Sequence, residues 1–225
     1  MTDVNVGGNT TGIQDTYNRT LYKSISPLDR THVFKSAITW ELPVGRGKAL
    51  LNGTNRVVNA LVGGWTVSGI LNYASGTPLG HPNSRRNPNF WNGPAIWANF
   101  NMPAGGFGGI FNPATFNPWN PSDPGNRFFD PTAFSDANPQ SLGTSPNRFP
   151  QIRLLTTFSE DASLIKRFTI REGVALQLRV EMLNLFNRHY FEGPDMNMNN
   201  ASFGNVIRTA GGSNRIGQFG MRLDW

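Results

Sequence analysis

The last eleven residues, Arg215 to Trp225, alternate in a way that only an extended chain can use. Gly217, Phe219, Met221, Leu223 and Trp225 share one parity, and Ile216, Gln218, Gly220, Arg222 and Asp224 share the other. One face is apolar and ends in an aromatic, while the other is mostly polar, which is the period-two signature of a β-strand. Its length suits a tilted membrane-crossing strand of roughly 9–11 residues. A chain end usually frays in water, whereas an apolar strand finishing at a membrane interface gives a terminal Trp somewhere to sit. The alternative is the edge strand of a soluble sandwich.

The same pattern recurs upstream. Over 31–43, Phe34, Ser36, Ile38, Trp40 and Leu42 alternate with Val33, Lys35, Ala37, Thr39 and Glu41. Over 64–76, Trp65, Val67, Gly69, Leu71 and Tyr73 form a face with an aromatic at each end. The cleanest case lies in 174–187, where Val174, Leu176, Leu178, Val180 and Met182 oppose Ala175, Gln177, Arg179 and Glu181. A helix would scatter these apolar residues around its circumference. Residues 152–169 alternate less well, and a bulged strand is expected there. The connections differ in character. Pro43–Gly47 stops one strand, and Asn55 is placed to cap a short helix carrying Val57, Val58, Leu61 and Val62 before Gly63-Gly64, a turn helix at the membrane edge. Arg171-Glu172-Gly173 is a tight turn. In contrast, 79–151 and 188–214 are long and rich in Asn, Gly and Pro. Long and short connections therefore fall on opposite sides of the sheet, as in outer-membrane barrels. The aromatics of the 79–151 loop, among them Trp91, Trp97, Phe107 and Trp119, predict a loop that packs on itself rather than a disordered one.

Composition narrows the field. Cysteine is absent, which removes disulfides and thiolate metal sites. Charged residues make up 15% of the chain, against about a quarter in ordinary soluble domains. No run of apolar residues is long enough for a membrane helix. The net charge is +6, but the cations are scattered and no nucleic-acid-binding motif accompanies them, so nucleic acid is not an expected partner. The first residues show no basic-then-apolar leader.

Catalytic patterns are weak. Ser163-Leu164-Ile165-Lys166 matches S-x-x-K, but it sits on a predicted strand, and Ser135-Asp136-Ala137 only approximates the partner motif. His32, His81 and His189 lack metal-ligand spacing. Glu160-Asp161 is expected to face lumen or solvent. The residues predict no enzyme, metal or cofactor.

Three stretches, D-R-T-H-V-F-K-S-A-I-T-W-E-L-P-V-G (29–45), N-A-L-V-G-G-W-T-V-S-G-I-L-N-Y-A-S-G-T-P (59–78) and L-Q-L-R-V-E-M-L-N-L-F-N (176–187), followed by the aromatic-ended last strand, resemble the C-terminal part of TonB-dependent outer-membrane receptors of the Oar-like group. The resemblance implies an all-β fold, an antiparallel up-and-down transmembrane barrel of ~22 strands with a plugged lumen, of which about five strands stand in this chain. It implies that Phe219, Met221, Leu223 and Trp225 are read by the barrel-assembly machinery, and that the barrel sits among outer-membrane lipids. It further implies that Lys35, Glu41, Gln177, Arg179 and Glu181 face the lumen, and that the extracellular loops capture an imported ligand of unknown identity, with Trp91, Trp97, Phe107 and Trp119 the candidate contacts. Coupling to an inner-membrane energy-transducing complex belongs to the receptor's plug and leader regions, which are expected to precede this stretch. A five-strand set with two open edges is not expected to transport alone. The alternative function is a soluble β-sandwich that binds carbohydrate or adheres.

Overall fold

The computed structural model describes residues 15, 17–90, 96–110, 116–117, 120, 123, 125–206 and 214–225. Five long strands form one antiparallel sheet: β1 (Val33–Glu41), β2 (Trp65–Ala74), β7 (Thr157–Arg171), β8 (Val174–Leu183) and β9 (Ile216–Asp224), in the order β1-β2-β7-β8-β9. This is an up-and-down meander. The β1–β2 and β7–β8 connections lie at one end, and the β2–β7 and β8–β9 connections at the other. The remaining strands are short: β3 (Pro78–Gly80) pairs with β6 (Arg148–Arg153), and β4 (Asn99–Phe100) with β5 (Phe134–Ser135). Among the described residues there are also two short α-helices, α1 (Arg56–Val62) and α2 (Phe107–Ile110), and 3-10 turns at Arg19–Tyr22 and Pro131–Ala133.

The chain divides into two compact units. The first gathers Met1–Thr31, Ser75–Thr156 and Phe191–Ala210, and the second gathers His32–Ala74, Thr157–Tyr190 and Gly211–Trp225, which is the five-stranded sheet. The first unit has a core built largely of aromatics. Phe128, Phe129, Phe134, Phe149 and Phe203 are buried with Leu79, Ile152 and Val206. Phe134 holds the centre, with ring centroids 5.5 Å from Phe129, 5.7 Å from Phe149 and 6.1 Å from Phe203, all edge-on, the arrangement that ring quadrupoles prefer. The described part of 79–151, expected to be a loop that packs on itself, contributes most of this small folded unit and its short ladders.

Two strand boundaries differ from the sequence reading. The strand expected over 152–169 begins at Thr157, because 148–153 belongs to β6 in the other unit. The expected bulge falls at the turn end of β7, where the register shifts between Thr169 and Arg171. The strand expected over 174–187 ends at Leu183. Asn184 and Asn187 both adopt left-handed backbone, φ 50° and 52°, a conformation that Asn tolerates better than most residues. The Asn184 side chain then clamps the turn: its Nδ2 donates to the Arg188 carbonyl and its Oδ1 accepts from the Arg188 N–H, both at 2.8 Å.

The helix over 56–62 forms as its caps predict. The Asn55 side chain accepts from the Val58 N–H at 2.9 Å, and Gly63 closes the last turn through an N–H bond to the Asn59 carbonyl. Among the described residues no helix is long and apolar enough to cross a membrane.

Candidate functional site

The registers of the sheet bring one parity of every strand onto one face. Phe34, Tyr73 and Phe158 align in a row; Trp40, Val67, Leu164, Val180 and Phe219 align in another. Leu178 pairs with Met221 and Leu176 with Leu223. This face is mostly apolar, and within its unit α1 lies against only one part of it: Phe34, Ile38, Trp40, Phe219, Met221 and Trp225 are all exposed. Aromatics mark both ends of the band. Phe34, Tyr73 and Phe158 stand at one end, with centroid separations of 6.1 and 5.2 Å along the row. Trp40, Trp65, Phe168 and Trp225 stand at the other. An uncovered apolar surface this continuous has no place in water. It is the outer wall of a membrane barrel, a band of aliphatics between two aromatic girdles.

Only two charged side chains interrupt that face among the described residues, and both find local partners. Glu160 is 2% exposed. It accepts both Nε contacts of Arg188, at 2.8 and 2.9 Å, while the guanidinium lies 5.3 Å over Phe158 and 5.6 Å over Phe186. Lys166 is buried. Its ammonium donates to the carbonyls of Leu61 (3.2 Å) and Gly63 and lies 5.0 Å from both the Trp65 and Phe168 rings. The two are six positions apart along β7, roughly 20 Å at strand rise. The charges therefore sit at the two margins of the band, where interfacial polar groups belong.

From sequence, Glu160 and Asp161 are both expected to face lumen or solvent. The structure separates them onto opposite faces: Asp161 accepts from the Asn184 N–H at 2.8 Å, while Glu160 is turned into the apolar side. Counting β7 by twos from Phe158 through Glu160, Ala162 and Leu164 exposes that parity. The Arg188 partner, 28 residues away, carries no sequence signal.

The opposite face gathers Lys35, Glu41, Gln177, Arg179 and Glu181. In register, Lys35 faces Asn72, Glu41 faces Thr66, Gln177 faces Arg222, and Glu181 faces Gln218. Polar side chains meet here, across strands and along them. Thr39 donates to Ser68 at 3.2 Å, Lys48 pairs with Glu41 at 2.9 Å, Arg179 with Glu181 at 3.4 Å, and Gln218 donates to Glu181. Such pairs are hydrated and add little stability; they make a wettable surface. Ser163 lies on this face and Lys166 on the other, so the S-x-x-K spacing does not bring nucleophile and base together.

In the first unit, Trp97 is only 1% exposed. Tyr22 meets its ring edge-on at 5.4 Å, and His81 lies against it at 4.4 Å. Its place is therefore in the packing, beneath the surface expected to meet a ligand. Phe107 is half-buried and stacks on Phe100, with centroids 6.1 Å apart and planes at 13°. Trp91 and Trp119 lie outside the described residues. Asp136, the acid of the S-D-A tripeptide, is fully engaged in structure: it takes the Arg85 N–H at 2.8 Å, the Arg85 Nε at 3.0 Å and the Ser84 hydroxyl at 3.3 Å.

His81 is buried, and that burial pushes its imidazole down to about 4 from an ordinary 6.5, with the nearby Arg148 acting in the same direction. The folded unit therefore holds His81 neutral, while the unfolded chain takes up a proton below about 6.5. The stabilisation is fully present above 6.5 and is lost as the pH falls from there toward 4. Complete loss amounts to about 3 kcal/mol. Hydrogen exchange at Ser84 and Ala98, whose amides bond to Ile96 and Pro82, should quicken across that window beyond the intrinsic rate change, and His81→Leu should remove the added pH dependence.

These observations converge on a membrane wall carrying a folded loop unit, and comparison with known proteins agrees. The sequence model of the family described as outer membrane beta barrel domain matches residues 1–218. The chain belongs to that family, and its place is the outer membrane. No curated protein and no solved structure matches it.

Proposed function

We propose that this chain supplies part of the wall and the ligand-capturing loops of an outer-membrane receptor for energy-coupled import, of the TonB-dependent, Oar-like kind that its strand motifs resemble. The observation that carries this reading is the loop unit. Its three segments are the chain before β1, the β2–β7 connection and the β8–β9 connection, and all of them join the sheet at the same end. A plain anchor has no use for a separate aromatic core built from its loops, whereas a receptor needs shaped loops to hold a solute. On this reading that end is extracellular, and the short β1–β2 and β7–β8 links are periplasmic. The apolar face meets lipid, and Lys35, Glu41, Gln177, Arg179 and Glu181 line the lumen. The assembly machinery reads Phe219, Met221, Leu223 and Trp225. An inner-membrane energy-transducing complex acts through a plug contributed from outside these strands. Phe107, Trp91 and Trp119 remain the proposed ligand contacts, with Trp97 supporting them from beneath.

Solute depletion tests this. Cells carrying the native gene, cells lacking it, and cells in which residues 79–151 are replaced by a short Gly/Ser linker are incubated in a defined solute mixture, and the medium is profiled by mass spectrometry. A solute removed only by the native gene, and no longer removed with a protonophore or with the linker variant, supports the reading. Identical depletion by all three strains, with surface-exposed protein verified in the native and linker strains, overturns it.

A further inference from the structure

The helix α1 is folded against the sheet's apolar face rather than its polar one. Between the helix and the strands lies a groove of about 200 Å³, lined by Leu61, Leu164, Leu178, Val180 and Phe219, with Lys166 at its edge. The helix is built for a place with little water. Its N-terminal end is closed by Asn55, and the carbonyl of Leu61 receives both the Trp65 indole N–H at 2.9 Å and the Lys166 ammonium. Satisfying backbone groups internally is what a non-aqueous setting demands. The side chains agree: Val57 and Val58 are exposed, Val57 at 72%, while Ala60 and Leu61 line the groove. A short helix that is apolar toward the sheet and apolar away from it is embedded, not solvated. The hydrophobic surroundings here are those of the membrane in which the sheet stands.

Around this apolar element the end of the sheet is basic. Arg46 lies beside the helix, its N–H bonded to Asn59 Oδ1 at 2.6 Å, and Arg56 opens it. Both side chains are exposed, and neither forms an ion pair among the described residues. We propose that this is a binding site for one anionic phospholipid: an acyl chain lies in the groove between α1 and strands β7, β8 and β9, and the phosphate is held by Arg46 and Arg56. The occupant is a lipid because the groove lies on the face that meets lipid, and an anionic one because Arg46, tied to the helix through its backbone N–H, and Arg56, the first helical residue, carry exposed cations with no ion pair among the described residues. The site rests on the apolar face meeting lipid, not on import.

The test uses the purified full chain in detergent micelles, offered phosphatidylglycerol or phosphatidylcholine of the same acyl length, with retained lipid counted by native mass spectrometry. The wild type should keep one phosphatidylglycerol in preference to phosphatidylcholine. Arg46→Gln and Arg56→Gln should each weaken that preference about fivefold while leaving residual acyl-chain binding. Val180→Trp, which fills the groove, should lose both lipids. Circular dichroism checks that each variant keeps its strands; the arginine variants alter only exposed side chains and keep the test decisive if Val180→Trp misfolds. Equal retention of the two lipids by the wild type, or retention unchanged in the arginine variants, overturns the site. A solute-depletion failure would leave this result untouched.

Discussion

Alanine at position 143 is expected to unfold the aromatic loop unit, at a cost of about 4 kcal/mol or more, among the largest effects a single methyl group can have. The reason is space, not backbone conformation. A Cβ on Gly143 would stand 1.8 Å from the Trp97 carbonyl oxygen, 2.5 Å from its carbon and 2.8 Å from the Ala98 oxygen. These are backbone atoms and cannot rotate away. They belong to a segment held on both sides: the Ala98 N–H bonds to Pro82 at 3.0 Å, and the Ala98 carbonyl accepts from Ser145 at 3.1 Å. Separating the strips to make room would pull Trp97 off its partners Tyr22 and His81. Gly108→Ala is the control: its Cβ meets nothing within 4 Å, and alanine there should be neutral or mildly stabilising. Near-UV circular dichroism and limited proteolysis of the two variants read the difference. Equal protease resistance would show that the two segments are not packed as described.

The second large effect is an asymmetry between two partners in one ion pair. Arg188→Ala should cost roughly 3–5 kcal/mol, because it strands a carboxylate on the apolar face. The Glu160 side chain is 2% exposed, whereas Arg188 keeps 41% of its own. Glu160→Gln should therefore cost far less, about 1 kcal/mol, since the released guanidinium is already within reach of water. Replacing both by leucine removes the charges together and should recover most of the Arg188→Ala loss. Urea unfolding in lipid vesicles compares these three variants with the wild type. If Glu160→Gln proved the more damaging single change, the carboxylate would not be the buried member.

The wall of this fold was readable because β1, β2, β8 and β9 each keep one parity apolar over nine or ten residues, and a sheet with one face in hydrocarbon enforces that pattern at every second position. α1 was equally plain, since Asn55 and Gly63-Gly64 bracket a single run of aliphatics. β7 was harder. Leu154 and Leu155 abut it in sequence but pack against the core of the other unit, so adding them blurred the alternation and drew the start back to 152. Glu160 and Lys166, two charges in its apolar parity, hid the pattern further, because each is compensated by groups distant in sequence. The loop unit left even less trace. Ladders such as β4–β5, with two residues on each strand, are too short to carry a period, and the Phe cluster declares burial without saying which rings meet. Trp97 shows the limit: a Trp in an Asn- and Pro-rich loop reads as a surface contact, yet Tyr22 and His81 close over it.

The five-stranded sheet is a membrane wall, with lipid on one face and water on the other. The chain contains no cysteine, so single cysteines placed in turn at positions 175–182 of β8 can each carry a spin label in lipid vesicles without removing any native thiol. Oxygen, which concentrates in hydrocarbon, and a water-soluble nickel chelate then report the surroundings of each label. The account predicts strict alternation: Leu176, Leu178, Val180 and Met182 accessible to oxygen, and Ala175, Gln177, Arg179 and Glu181 favouring the nickel chelate. Equal access of the chelate to both parities would show that the apolar face is not in the membrane, and the account of this chain as an outer-membrane wall would fail.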